Sequence, residues 1–581
     1  MTADNGKDKT DEQNENLSAD MGISRRMLLG ALGVGSLLTA SMPASAQEVE
    51  SESDLWTQFY SGQLTERPDA GVDGRYYHAY DTGDLFLDDG DSWSLIDFGV
   101  NSIYTDELNN VQHADPEDDC PGIQAAIDAL PSSGGKVVLE EGVYEVLDGT
   151  AGDPAIYLNK DNITLEGQGK STVIYLPDGI TDSDKGKAII DIGKKAIMDN
   201  PNVVHGCHLT NFMVDGNMQN QSPDQISDLS DMHNIEAIGT DHKFSNLWSF
   251  NATGDGLELT SKQDPSVTHN IEVVNCHFQD SNEHNIHIHG AQNVTISNCI
   301  LDGERQATNI STFTNKTDIR DITIDGCQII NGSHRGIEIR ADQDQTVDGT
   351  QFRSRRFSVS DCLIADNGGA GVFIDGRFSE DVSVKDCAIV GNGVADGESN
   401  VIINGASVVE FANCSVKKGY NSGIELRTNF DSLTDVYLHD NLIKNNNQRD
   451  GNFHSGVFIP IDGKSLKRLR LCDNNIVSAS DSPKHQRGVF VTESTAGTYT
   501  DVEIRGNYIK GVGGEEWYDA HLVADYIYDN TPESPVDVRG LKAEAGNEAY
   551  HDGTNSNTVG PAFYDGSASA WVSLVDGTTI S

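Results

Sequence analysis

The sequence predicts an all-β protein, a right-handed parallel β-helix (solenoid) with an N-terminal capping helix and small terminal hairpin segments. Three observations carry this: an eleven-fold repeat, period-two apolar alternation within each repeat, and a third apolar segment at a fixed distance. The sixth position of the eight-residue repeat template is a ladder position filled in turn by Phe212, Leu247, Cys276, Cys299, Cys327, Cys362, Cys387, Cys414, Asn441, Asn474 and Asn507. Successive spacings of 35, 29, 23, 28, 35, 25, 27, 27, 33 and 33 residues describe a solenoid whose loops vary around a fixed frame.

Three positions before each ladder residue stands an apolar side chain, from Leu209 and Phe244 through Val273 to Ile504. Alternation on both sides of the ladder marks short strands with one buried face. Parity slips by one between the two strands, so the chain bends there. Asn211, Asn246, Asn275, Asn298, Asp361, Asp386 and Asn413 occupy the bend, and these residue types tolerate left-handed backbone angles. Leu257, Ile286, Ile337, Val372 and Ile424 lie ten residues after their ladder residues and define a third strand. A β-propeller would require antiparallel strands and tight hairpins, which the repeats lack.

Before the repeat, Pro121 precedes Ile123, Ala126, Ile127 and Leu130, the spacing of a short amphipathic helix that would cover the first coil. Tyr76 to Trp93 reads as a β-hairpin with an Asp-Gly turn, and Phe563 to Trp571 resembles it. The expected organisation is a leader over 1–46, an extension over 47–95, the β-helix over 96–512 and a C-terminal cap over 513–581.

Ser24-Arg25-Arg26-Met27-Leu28-Leu29, an apolar run to about Ala40, and Ala44-Ser45-Ala46 resemble a twin-arginine export signal. The expected location is extracellular, with no membrane partner after export, because the apolar run is too short to span a bilayer. The formal net charge of −51 argues against nucleic acid as a partner and resembles that of secreted proteins from salt-loving archaea. Six of the nine cysteines fall on the ladder. Coils stack about 4.8 Å apart, whereas disulfide Cβ atoms prefer about 3.8 Å, so a stack of buried free thiols is expected.

The order Ile96-Asp97-Phe98-Gly99-Val100, Ile123-Gln124-Ala125-Ala126-Ile127, Gly134-Gly135-Lys136-Val137-Val138-Leu139, Gly142-Val143-Tyr144 and Asn162-Ile163-Thr164-Leu165-Glu166-Gly167 resembles the N-terminal region of the pectate-lyase superfamily, which includes polygalacturonases. The resemblance covers residues 95–175 and implies a polysaccharide partner. Asn251 to Gly256 echoes the polygalacturonases' first catalytic segment, and Ser333-His334-Arg335-Gly336 their third. Glu283-His284-Asn285 stands where their paired aspartates belong, and their fourth motif is absent.

Third strands of the form Gly-Ile-Glu-Ile turn isoleucine inward and glutamate outward. Stacking them gives an outward row of Glu258, His287, Ser311, Glu338, Phe373, Ile402, Glu425, Phe458 and Phe490. A second row holds Thr260, His289, Phe313, Arg340, Asp375, Asn404 and Arg427, and the preceding turns add Asp255, His284, His334 and Arg335. A shallow groove so lined suits an acidic polysaccharide. A lyase needs a base, here His287 or His289, and positive charge to stabilise the enolate, from Arg335 and Arg340 or from a Ca²⁺ ion. An inverting hydrolase needs two carboxyls about 6.5–9.5 Å apart, from Asp255 with Glu258 or Glu258 with a neighbour; Glu338, also a candidate carboxyl, stands three coils from Glu258, roughly 14 Å and too far to pair with it. His284, His334, Asp375 and Arg427 complete the expected sugar-binding set. A carbohydrate-binding or surface-structural protein is the alternative without catalysis.

Overall fold

The computed structural model describes most of residues 110–512 and separate strands from Phe59 to Ile580; segments such as 1–58, 96–109, 147–154, 180–187, 194–202, 222–231 and 533–547 lie outside the described residues. The leader and the Ile96–Val100 segment fall among the latter.

The repeat folds as a right-handed parallel β-helix. The coils build three parallel sheets of 17, 14 and 13 strands, with two coils giving two short strands each to the largest. The first strand leads into the ladder residue, as in Val273 facing Ile296 of the next coil and then Ile324. The short second strand follows it, as in His277–Gln279 beside Ile300–Asp302. The third sheet runs through Leu257–Thr260, His284–His289, Thr308–Thr312, Ile337–Arg340, Val372–Asp375, Val401–Asn404 and Ile424–Arg427. Stacking continues past residue 512, where Trp517–Asp519, Tyr526–Tyr528 and Thr531–Pro532 join the three sheets.

The bends follow the sequence reading. Asn211, Asn246, Asn275, Asn298, Asp361, Asp386 and Asn413 all have φ between 51° and 59°. Gly326, Asp440, Asp473 and Gly506 take the same left-handed conformation in the other coils. At Gly326 an added Cβ would meet the Asn298 side-chain oxygen at 2.9 Å, so a larger residue there would have to displace that side chain.

All eleven ladder residues are buried. All nine cysteines are free thiols, and the backbone N–H groups of Cys299 and Cys327 point at the next thiol, at 3.5 and 3.4 Å. The stack then becomes an asparagine ladder: Asn441 Nδ2 donates to Asn474 Oδ1, and Asn474 Nδ2 to Asn507 Oδ1, each at 2.9 Å. Each amide thus satisfies the polar atoms of the next coil within a dry interior.

A second ladder, unforeseen in the sequence, runs along the corner before the third sheet. Asn285 donates to Asn309 (2.7 Å), Asn309 to Asn367 (2.9 Å), Asn367 to Asn392 (2.9 Å), Asn392 to Asn400 (2.9 Å) and Asn400 to Asn446 (2.8 Å). It ends at His485, whose Nε2 accepts the Asn446 N–H at 2.8 Å. This ladder fixes the corner from which His284 and Arg335 project.

The helix Asp119–Ala129 buries Cys120, Ile123, Ala126 and Ile127 in the same core as the first coil strands. Gln124 locks it to Tyr157, whose N–H donates to Gln124 Oε1 at 2.7 Å. The N-terminal unit contains a four-stranded sheet, Phe59–Gly62, Tyr76–Ala79, Asp84–Asp88 and Trp93–Leu95, with the last three antiparallel. Four antiparallel strands from Glu548 to Ile580 form the C-terminal sheet.

Candidate functional site

The register of the third sheet sets Glu258 beside His287, His287 beside Ser311, Ser311 beside Glu338 and Glu338 beside Phe373. Thr260 faces His289, and Arg340 faces Asp375 in the second row. Leu257, Leu259, Ile286, Ile288, Ile337 and Ile339 fill the core beneath, which forces their neighbours onto the outer face. Glu258 and Glu338 are three coils apart, about 14 Å at sheet spacing. They cannot share one reacting bond.

The nominated residues separate into two clusters. The first is centred on Asp255, which has no exposed surface. Its Oδ1 accepts the His284 backbone N–H at 2.9 Å and faces His284 Nδ1 at 2.8 Å. Its Oδ2 faces His287 Nδ1 at 3.1 Å and His233 Nδ1 at 3.2 Å. Burial alone would raise this carboxyl, but His284, His287 and His233 outweigh it and hold the group well below the ordinary carboxylate range. Asp255 therefore orients imidazoles and does not itself reach a substrate. Glu258 repeats the pattern one step along, facing His289 Nδ1 at 3.1 Å and His233 Nε2 at 3.2 Å.

His233 was not apparent from the repeat, because its strand does not keep the ten-residue interval. One signal was present: His233-Asn234-Ile235-Glu236 parallels His284-Asn285-Ile286-His287. Burial disfavours its protonation, yet Glu258 and Asp255 reverse that and raise its pKa well above the usual imidazole value. The Asp255 N–H also points at His233 Nδ1, at 2.9 Å, and so favours a lone pair there.

His284, His287 and His289 form a row of rings, with centroids 4.5 and 5.2 Å apart, and Phe313 meets His289 edge-on at 5.7 Å. Each ring has its Nδ1 turned to a carboxylate, which at His284 and His287 leaves Nε2 as the nitrogen available for chemistry; His289 Nε2 is buried. Arg340 is exposed, with its guanidinium carbon 5.4 Å from the Phe313 ring centroid. Ca²⁺ takes oxygen ligands, so this imidazole-rich set does not fit it.

The second cluster is a salt-bridge brace. Arg335 meets Glu338 at 2.7 Å and Glu398 at 2.9 Å, and lies 3.4 Å above the Phe373 ring. Its charge is spent within the protein. Arg427 pairs in the same way with Glu425, at 2.8 Å. Asp375 accepts from Asn404 at 2.9 Å, and burial raises its carboxyl. His334 is exposed and faces Asp396 at 3.3 Å. Beyond this cluster Phe458 and Phe490 stack with centroids 5.3 Å apart.

The coils and this face define the class: a right-handed parallel β-helix with a histidine–carboxylate cluster on its third sheet. The chain belongs to the right-handed β-helix family, whose profile matches residues 202–393 and 348–513, together more than half of the sequence. A search of curated proteins gave no match. Among solved structures it is similar to the A-module of a mannuronan C-5 epimerase from Azotobacter vinelandii, at 17% identity over 73% of this chain and 100% of that one, with a TM-score of 0.46. Tailspike protein 3 of bacteriophage CBA120 aligns at 10% identity over 91% and 87%, with a TM-score of 0.47. The catalytic unit of a GH87 α-1,3-glucanase from Streptomyces thermodiastaticus aligns at 17% identity over 70% of each chain, with a TM-score of 0.45. At these values the likeness is one of fold alone.

Proposed function

We propose that this protein cleaves an acidic, uronate-containing polysaccharide by β-elimination on the third-sheet face. The observation that carries this reading is the pair of imidazoles, His284 and His287, held by the fully buried Asp255 at 2.8 and 3.1 Å. A carboxylate on Nδ1 fixes the tautomer and leaves a basic Nε2 facing the groove. That base takes the proton α to the uronate carboxylate, and the electron pair moves into the enolate. The β carbon–oxygen bond then breaks, and the leaving oxygen takes a proton from the imidazolium just formed or from water. Arg340, exposed beside Phe313, supplies positive charge to the substrate carboxylate. Hydrolysis is the weaker reading, since both oxygens of Asp255 are engaged by histidines.

Of the aromatics in this row, Phe373 lies buried beneath Arg335 and Phe490 is buried as well, so Phe458, half-buried and stacked on Phe490, is the ring that supports contact with a sugar. Export by the twin-arginine route and adaptation to salt belong to this proposal, resting on Arg25-Arg26 and the net charge of −51. The test is incubation in molar salt with a panel of acidic polysaccharides, following ultraviolet absorbance of unsaturated ends and new reducing ends. Unsaturated products support elimination. Reducing ends alone establish hydrolysis, and neither product across the panel leaves a binding protein.

A further inference from the structure

We infer that Glu258, His287 and His289 form a binding site for one divalent transition-metal ion. One donor atom from each of the three lies within 4.8 Å of the others. The set joins two imidazoles and one carboxylate, which suits Zn²⁺, Mn²⁺, Fe²⁺, Co²⁺ or Ni²⁺ and not the oxygen-seeking Ca²⁺.

Three features of the surroundings support an ion here. His287 Nδ1 is already committed to Asp255 at 3.1 Å, so the ring presents Nε2. A ligating histidine usually has its other nitrogen held by a carboxylate in this way. His289 Nδ1 faces Glu258 Oε1 at 3.1 Å, so an ion taken up by these two groups would replace the proton they share. Glu258, finally, is anchored from below by His233 Nε2 at 3.2 Å, in a strand whose apolar neighbours are fully buried.

Asp255, His284 and His287 also bring donors within 4.8 Å. That set is the poorer host. Asp255 is wholly buried, and its Oδ1 also accepts the His284 backbone N–H, which an ion there would have to displace.

Taken with the proposed elimination, on which this last step alone rests, the metal would neutralise the substrate carboxylate beside Arg340. His284, held by Asp255 at 2.8 Å, would then take the proton. The arrangement compensates for Arg335, whose charge is consumed by Glu338 and Glu398.

The experiment is titration of metal-stripped, tag-free full-length protein with Co²⁺, read by its visible absorption, and with Zn²⁺, read by calorimetry. The expected result is about one ion per chain, with affinity reduced roughly 10- to 100-fold or more in His289→Ala and His287→Ala. His334→Ala serves as a control that keeps full affinity, and circular dichroism verifies folding of every variant. Should a variant misfold, the milder Glu258→Gln is to show the same loss. No binding, or binding unchanged in His287→Ala/His289→Ala, overturns the site. Elimination that persists without metal binding removes the metal and leaves the proposed function. Binding without products from any polysaccharide does the reverse.

Discussion

His287 Nδ1 lies 3.1 Å from Asp255 Oδ2, and the carboxylate that holds it is wholly buried. An exposed carboxylate would swing and hydrate. This one is fixed by a backbone N–H and three imidazoles, so the rings above it are positioned without input from a substrate. Rate should therefore depend on Asp255 even though Asp255 touches nothing that reacts.

Asp255→Asn keeps the shape and removes the charge. We expect the turnover of uronate polymer to fall by about 10²- to 10⁴-fold, the usual worth of a positioned acid–base group. KM should change little. Steady-state kinetics of unsaturated-end formation check this, and an unaltered turnover number would exclude the orienting role.

Arg335 and Arg340 should respond differently to truncation. Arg340→Ala is expected to raise KM for acidic polymers, because its guanidinium is exposed over Phe313. Arg335→Ala should lower thermal stability instead, since it strands Glu338 and Glu398 on a partly dry face. A matched set of kinetic and melting measurements separates the two; the opposite assignment would contradict the brace.

The end of the second ladder sets an acid limit. Burial lowers the His485 pKa to about 3, and its Nε2 must stay unprotonated to accept the Asn446 N–H. In the unfolded chain the ring titrates near 6.5. Because the folded value is the lower one, this stabilisation is complete above pH 6.5 and is lost as pH falls from there toward 3, by about 1.4 kcal/mol per unit. Melting curves between pH 7 and 4 should show the decline in the wild type and less of it in His485→Asn, where the side-chain proton uptake is gone.

Native thiols should be inert. Hydrogen bonding to the preceding thiol, then burial, pushes Cys299, Cys327 and Cys362 up to about 12. A disulfide-exchange reagent should label none of the nine cysteines in the folded protein and all nine after unfolding. Rapid native labelling of Cys327 would mean that the stack is open.

Asn392 occupies the middle of the second ladder and is fully buried. Asn392→Ala removes the acceptor of the Asn367 N–H groups and the donor to Asn400, leaving buried polar atoms unpaired. We expect a loss of about 1–3 kcal/mol, seen as faster amide exchange over the Val372–Asp375 and Val401–Asn404 strands. Unchanged protection there would show that the ladder is ornamental.

Local chemistry made the first ladder legible. Bends such as Asn298 and Asp386 demand particular residue types, and the apolar positions around them repeat at short, fixed offsets. The second ladder was hidden because variable loops precede it: Asn309 and Asn367 are 58 residues apart yet hydrogen-bonded. The same cause hid His233 and Glu398, whose side chains reach neighbouring coils from segments of irregular length. The outward rows were read correctly because strand parity alone fixes them. What parity does not reveal is which outward charges are consumed internally, and on that point Arg335 and Arg340 part company.

Successive coils repeat the same left-handed corner, and the coils that follow the Arg335–Glu398 brace carry none of the three clustered histidines. Duplicating one beyond Glu425 would lengthen the third-sheet face while leaving His284, His287 and His289 in place. Reach and reactivity are thus written in separate stretches of the chain, and either can drift without disturbing the other.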